Sequence, residues 1–110
     1  MISTKTPTHA ISPAEAFVLH EKQIPPGVFQ CWNELIIKNY ISKKSVFVIK
    51  QDDIIALITE TLSVSRQDVF NNGWLEVEQY YSKSGWTVQY ESPDRGDNWS
   101  PFFRFRAVNS

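Results

Sequence analysis

The chain has 110 residues, with 11 lysines and arginines against 12 aspartates and glutamates, so its formal charge is −1. This length suits one domain. The near-neutral charge excludes a strongly basic nucleic-acid module and a polyacidic tail. Hydrophobic residues make up 42% of the chain, enough for a packed core, so wholesale disorder is excluded. Only four glycines are present, against four tryptophans, four tyrosines and seven phenylalanines, which argues against a nucleotide-cradling loop.

The single cysteine, Cys31, excludes an intrachain disulfide, whereas small secreted domains usually carry several. We expect it to be a buried apolar residue, because the only histidines, His9 and His20, lie in the N-terminal arm and give it no nearby base. No apolar run approaches the roughly 20 residues of a membrane span, and the N-terminus lacks the apolar stretch of a signal peptide. We therefore expect a cytoplasmic protein that uses no metal or other cofactor.

Residues 1–25 are predicted to form an N-terminal arm with a short helix, followed by one domain over residues 26–110. Ser12, Pro13 and Glu15 have the spacing of a capping box with proline in the first turn, which predicts a helix from Pro13 to about Lys22.

Pro26 begins a second predicted helix that ends near Ile41. Its apolar side chains recur at steps of three and four, which is typical of one buried helical stripe. These positions are Val28, Phe29, Trp32, Leu35 and Ile36.

A short β-branched and aromatic run over residues 45–50 predicts a strand. Asp52 and Asp53 suit the first turn of a following helix, because its dipole favours negative charge there. Ile54, Ile55, Ile58 and Leu62 complete a helical pattern over residues 51–62.

Ser65 and Asp68 have capping-box spacing at the start of a third core helix, predicted over residues 65–84. Gly73 lies inside this stretch, and glycine in a helix interior costs about 1 kcal/mol relative to alanine. Three alternatives remain: one long helix, a kinked helix, or two short helices that separate at Gly73.

The end of the chain predicts a β-hairpin. Trp86, Val88 and Tyr90 alternate with polar residues, as do Phe103 and Phe105 further on. The connection over residues 92–101 contains proline, aspartate and glycine and predicts a long polar turn.

The predicted order from residue 26 onward is helix, strand, helix, helix, strand, long loop and strand. It resembles a winged helix, in which a three-helix core and a short strand precede a C-terminal hairpin whose loop is the wing. The predicted fold class is therefore α+β and winged-helix-like, with the N-terminal arm added. The alternative is another α+β fold with helices on one side of a three-stranded antiparallel sheet.

Three stretches also resemble small uncharacterised proteins of tailed bacteriophages. The first covers residues 24–36, beginning with IPP and ending with NELI. The second is RQDVF at residues 66–70, and the third is SGWTVQY at residues 84–90. The resemblance implies the cytoplasm of an infected bacterium as the setting, and it implies no particular activity or binding residues.

Winged helices most often bind DNA, with the third helix in the major groove and the wing on the backbone or minor groove. The third helix, however, carries Asp68, Glu76 and Glu78 against two cations, and phosphate neutralisation by cations supplies most affinity for DNA. The DNA-binding candidates are Arg66, Gln67, Asn71, Asn72, Gln79, Lys83, Arg95, Arg104 and Arg106.

Trp99 lies in the polar wing without an obvious core to enter. Either it folds back onto the hairpin, or it is an exposed anchor for a partner, since tryptophan and arginine are enriched at interface hot spots. We therefore take Trp99, Phe102 and Arg95 as candidate partner-binding residues. Arg104 and Arg106 have a second interpretation. They lie opposite a partner strand whose outward residues include Gln89 and Glu91, and cross-strand pairing with these residues would explain them.

Catalysis is not expected. Two carboxylate pairs, Asp52 with Asp53 and Glu76 with Glu78, are predicted to diverge, because helical residues one or two apart do not face each other. No phosphate loop, nucleophile elbow or dinucleotide fingerprint occurs.

The sequence predicts a non-enzymatic protein that binds a protein partner or forms a homodimer. The alternatives are a winged-helix DNA-binding transcription regulator and a structural component of the virion.

Overall fold

The computed structural model describes residues 7–40 and 46–108. Within them the chain is α+β, with five helices and a three-stranded antiparallel sheet. No helix in these two ranges is long and apolar enough to cross a membrane. The elements are α1 (Pro13–Gln23), α2 (Pro26–Asn39), β1 (Val46–Lys50), α3 (Gln51–Leu62), α4 (Arg66–Asn71), α5 (Glu78–Lys83), β2 (Trp86–Glu91) and β3 (Phe102–Ala107).

Capping boxes begin α1 and α4, as predicted. The backbone N–H of Glu15 donates to Ser12 Oγ over 3.1 Å, and the Glu15 carboxylate accepts from the backbone N–H of Ser12. Ser65 and Asp68 make the same reciprocal pair, with distances of 3.0 and 3.1 Å. Both boxes satisfy backbone donors that have no partner within the first turn of a helix.

The helices α2 and α3 contribute the predicted apolar stripes to the core. Trp32 is fully buried in α2 and Cys31 is 2% exposed, while α3 buries Ile54, Ile55 and Ile58. The helix α2 ends at Asn39; its predicted end near Ile41 lies outside the described residues.

The predicted third core helix is two short helices, α4 and α5, so the last of the three alternatives is the one found. Gly73 has φ of +67°, a left-handed conformation that ends a right-handed helix and suits glycine best. The chain then makes a turn in which the backbone N–H of Glu76 donates to the carbonyl of Gly73.

The sheet has the order β1-β3-β2, with β3 in the centre and both neighbours antiparallel to it. Phe105 on β3 faces Phe47 on one side and Val88 on the other. The first predicted strand thus pairs with the predicted hairpin, through β3. Element order and strand order together are compatible with a winged-helix-like arrangement.

Aromatic side chains fill the space between the helices and one face of the sheet. Trp32 meets Phe103 edge-on, with ring centroids 5.0 Å apart, and Phe47 stacks on Phe105 at 5.4 Å. Trp86 also packs edge-on against Phe105. Most of the aromatic surplus of the sequence is therefore core, where such pairs stabilise beyond the area they bury.

Helix α1 rests on α5 through aromatic contacts, although none of its residues is buried. Phe17 stacks on Tyr80 with ring centroids 4.6 Å apart, and Nδ1 of His20 is hydrogen-bonded to the Tyr80 hydroxyl. Helix α1 thus contacts α5 through Phe17 and His20.

Candidate functional site

One face of the sheet packs on the core, and the other, here called the outer sheet face, carries half-buried and exposed side chains. It is made by alternate residues of the three strands, since successive side chains of a strand point to opposite faces. In strand register its three rows are Val46, Arg106 and Thr87; Val48, Arg104 and Gln89; and Lys50, Phe102 and Glu91.

The outer sheet face is positively charged. Lys50, Arg104 and Arg106 stand against the single carboxylate of Glu91, whereas the whole chain has a formal charge of −1. Arg104 forms an ion pair with Glu91, and its guanidinium lies 5.6 Å from the ring centroid of Phe102. This agrees with the cross-strand interpretation of Arg104. Arg106 faces Thr87 and is exposed.

Trp99 folds back toward the outer sheet face but stays 43% exposed. Its ring centroid lies 5.6 Å from that of Phe102, with the two rings tilted by 45°. The base of the wing is held by a backbone hydrogen bond from Gln51 to the carbonyl of Pro101. Both interpretations of Trp99 therefore describe part of its position, because it contacts the hairpin and also presents a large apolar surface to solvent.

Arg95 lies at the exposed tip of the wing turn. Asp94 and Asp97 close this turn: the backbone N–H of Asp97 donates to the Asp94 carbonyl, and the backbone N–H of Asp94 donates to Asp97 Oδ2. Gly96 has φ of +95°, which this turn requires. Arg95 is thus presented close in sequence to two acids, in the loop and not on the strands that carry the cations of the outer sheet face.

The DNA-binding candidates on α4 are engaged with their own neighbours. Arg66 Nη1 lies 3.5 Å from Asp52 Oδ1, and the guanidinium lies 5.4 Å from the Phe70 ring centroid. Gln67 Nε2 donates to Asn71 Oδ1 over 2.9 Å. These side chains would have to exchange existing contacts for contacts with bases.

The remaining DNA-binding candidates are divided among other elements. Asn72 Nδ2 donates to the backbone carbonyl of Asp68, and Gln79 is exposed on α5. Lys83 Nζ lies 4.7 Å from the ring centroid of Phe17. Because α4 and α5 are separate helices of six residues each, these candidates do not share one continuous recognition helix.

Sequence reasoning missed a pocket between α4, the turn that follows it and the hairpin. Glu76 precedes α5 and Glu78 begins it, so the two residues do not lie on one helix as the sequence prediction assumed, and both line this pocket. The run Asn71-Asn72-Gly73 was the signal for the break in the helix. The pocket measures about 230 Å³ and is lined by Gln51, Val69, Phe70, Gly73, Leu75, Glu76, Glu78, Tyr90 and Phe103.

A second recess, of about 190 Å³, lies where α1, α2 and α5 meet. The Tyr81 hydroxyl donates to Asn33 Oδ1 over 2.6 Å, and burial raises the pKa of Tyr81 well above its ordinary value. Burial and then the charge of Glu21 raise the pKa of Tyr80 in the same direction. The Tyr81 hydroxyl therefore stays neutral to higher pH than an exposed tyrosine, in the form that donates to Asn33.

In residues 7–40 and 46–108, no group of three or more His, Cys, Asp or Glu side chains is arranged to hold a metal ion. No family model, curated protein or solved structure matches the chain. Function is therefore inferred from the surfaces of the molecule itself.

Proposed function

We propose that the protein is a non-enzymatic binding protein that contacts a protein partner through the outer sheet face and the wing. The position of Trp99 carries this proposal: 43% of its surface is exposed although it packs against Phe102. Tryptophan and arginine are enriched among the residues that carry most of the binding energy at protein interfaces. Here the Arg104 guanidinium lies over the other ring of the pair, 5.6 Å from the Phe102 ring centroid.

The charge of the outer sheet face indicates the chemistry of the partner. Lys50, Arg104 and Arg106 exceed the one carboxylate of Glu91, so an acidic surface on the partner would be complementary. Complementary charge directs encounter and register, while the aromatic anchors supply buried apolar area. We assign the aromatic residues to affinity and the cations to orientation, with Arg95 at the wing tip as an additional peripheral contact.

The resemblance to small proteins of tailed bacteriophages supports a setting in the cytoplasm of an infected bacterium. In that setting the partner is a host protein with an acidic surface, or a second copy of this chain. A structural role in the virion is the alternative within the same setting, and mass spectrometry of purified particles would detect it.

A DNA-binding regulator is the second candidate, since Arg104 and Arg106 could also contact phosphates. The helix that would enter the major groove has acidic surroundings, with Asp52, Asp68 and Glu76 on or beside α4. Because phosphate neutralisation dominates affinity for DNA, these acids favour the protein partner over duplex DNA.

The test is capture from bacterial lysate with three variants of the tagged protein, read by quantitative mass spectrometry. Trp99→Ala and Arg106→Glu should each reduce recovery of the partner at least about tenfold, as expected for loss of an anchor or reversal of a complementary charge. Tyr40→Ala is the matched control, because Tyr40 is a similarly exposed aromatic residue, at 49%, outside this face.

Light scattering measures self-association, and an electrophoretic shift at low salt measures binding to DNA. Recovery that is the same for all three variants, or a salt-dependent DNA shift with no captured protein, would overturn the proposal.

A further inference from the structure

The pocket lined by Glu76 and Glu78, here called the aromatic–acidic pocket, lies on the core side of the sheet, at the wing end of the hairpin. It belongs to neither the outer sheet face nor the wing. Its inner part is apolar, because Val69, Leu75 and Phe103 are between 0% and 8% exposed. It therefore offers an apolar surface to a ligand that has an apolar segment.

Two aromatic rings border the pocket and remain open to solvent. Phe70 is 43% exposed and Tyr90 is 44% exposed. Tyr90 is held in place by Phe103, its cross-strand neighbour, with ring centroids 4.9 Å apart. Both rings are therefore accessible to a ligand that enters the pocket.

Two carboxylates share the pocket with these rings. A Cβ built on Gly73 would lie 3.4 Å from Glu76 Oε2, which places that carboxylate over the turn that borders the pocket. None of the ion pairs found among the described residues involves Glu76 or Glu78. Their charge is therefore available to a ligand.

A buried polar side chain also lines the pocket. Gln51 is 8% exposed and is the only polar residue in the described ranges that is buried to this degree. Its backbone N–H bonds the carbonyl of Pro101, and its side-chain amide takes part in none of the side-chain hydrogen bonds found there. No buried side-chain nitrogen or oxygen of the described residues lacks a hydrogen-bond partner, so the unbonded amide atoms of Gln51 lie at an accessible surface. There the amide can donate to or accept from a ligand in the pocket that the two carboxylates also line.

We propose that the aromatic–acidic pocket binds an organic cation: an ammonium or guanidinium head group on a short apolar stem. The aromatic faces attract the cation, the carboxylates neutralise it, and the apolar interior takes the stem. The Arg66 guanidinium already lies 5.4 Å from the Phe70 ring centroid, whereas none of the cation–π pairs found in the described residues involves Tyr90. The head group can belong to a lysine or arginine side chain of a polypeptide or to a free amine. This proposal does not depend on the outer sheet face.

The first test is an NMR titration of the full chain, labelled with ¹⁵N, by n-butylammonium and by 1-butanol, a neutral molecule of similar shape. We expect saturable shifts at the amides of Gly73, Glu78 and Tyr90 with n-butylammonium, and at least about tenfold weaker binding of 1-butanol. Nα-acetyl-lysine methylamide distinguishes the two sources: tighter binding than n-butylammonium indicates a polypeptide side chain, and weaker binding indicates a free amine.

The second test compares two double variants with equal loss of charge. Glu76→Gln with Glu78→Gln should weaken binding of n-butylammonium at least about tenfold, whereas Glu34→Gln with Glu60→Gln should leave it unchanged. Glu34 and Glu60 are suitable controls because they line a different recess, between α2 and α3. Phe70→Leu tests the aromatic contribution with both carboxylates intact and should weaken binding at least threefold, on the scale of about 0.7 kcal/mol. Absence of saturable shifts, equal affinity for 1-butanol, or equal effects of the two double variants would overturn the proposal.

Discussion

The indole nitrogen of Trp32 donates a hydrogen bond to the backbone carbonyl of Trp74 over 3.1 Å. The donor is fully buried in α2, and the acceptor lies in the turn between α4 and α5. A single side chain therefore packs on the sheet, through Phe103, and also positions the turn that borders the aromatic–acidic pocket. The geometry of this pocket depends on a core residue that does not line it.

We expect Trp32→Phe to lower the free energy of unfolding by about 2–4 kcal/mol. The substitution leaves a void beside Phe103 and removes the hydrogen bond to the carbonyl of Trp74. Urea unfolding followed by circular dichroism measures the loss. Trp99→Phe is the control, because Trp99 is exposed and its replacement should cost less than about 0.5 kcal/mol. Equal losses for the two variants would contradict this account of the core.

Gly73→Ala should cost about 1–2 kcal/mol, because φ of +67° places the new Cβ against the backbone. Gly73→Asn should cost less, since asparagine adopts the left-handed region more readily than alanine. Thermal unfolding of both variants beside the parent chain gives the comparison. If alanine is tolerated as well as asparagine, the break between α4 and α5 does not depend on the conformation of Gly73.

Removal of the cap of α4 should have a local and moderate effect. Ser65→Ala loses the acceptor of the Asp68 N–H and should lower stability by about 1 kcal/mol. Ser82→Ala, within α5, is the matched control and should be neutral or slightly stabilising, because alanine has the higher helix propensity. Hydrogen exchange should be faster in the first turn of α4 only in Ser65→Ala, and uniform acceleration over the chain would argue against a cap that acts locally.

The raised pKa of Tyr81 predicts a loss of stability at alkaline pH. The unfolded chain ionises its tyrosines near a pKa of about 10, whereas buried Tyr81 stays neutral to higher pH. The contribution of Tyr81 is thus fully present below that value and is lost progressively above it, because the unfolded state releases the proton first.

Unfolding free energies of Tyr81→Phe measured at pH 8 and pH 11 check this prediction. At pH 8 the variant should be less stable by about 1 kcal/mol, since the hydrogen bond to Asn33 is lost. Between pH 8 and pH 11 it should lose less stability than the parent, and Tyr80 accounts for part of the loss that remains. Tyr40→Phe, at an exposed site, should follow the parent curve. Parallel curves for parent and Tyr81→Phe would refute the assignment.

The helix starts and the strands could be predicted from the sequence because their determinants are local. Ser12 and Ser65 each precede an acid by three residues, and alternation places Phe103 and Phe105 on one face of a strand. Gly73 left the third core helix undecided, since the cost of one glycine is comparable to the packing gained by a continuous helix. The hydrogen bond from Trp32 to Trp74 joins residues that are 42 positions apart, so the spacing of neighbouring residues could not predict it.

The candidate surfaces were predictable only in part. The sequence indicated Trp99 and Phe102 as candidates, but their contact depends on the path of the wing. The shared pocket of Glu76 and Glu78 could not be predicted, because Glu76 lies in the turn before α5, where the helical period does not apply. The rest of the pocket comes from α3, α4 and the hairpin, which only the tertiary fold brings together.

The central position of β3 has a consequence for synthesis of the chain. Translation delivers β1 and β2 before β3, and these two strands pair with β3 and not with each other. Until residue 107 has left the ribosome, both strands lack their hydrogen-bond partner, and Trp32 lacks the rings of Phe103 and Phe105. The sheet therefore forms only after β3 has emerged, when this strand inserts between β1 and β2. A ribosome-stalled chain that ends before Phe102 should lack the sheet and should be recognised by chaperones as unfolded.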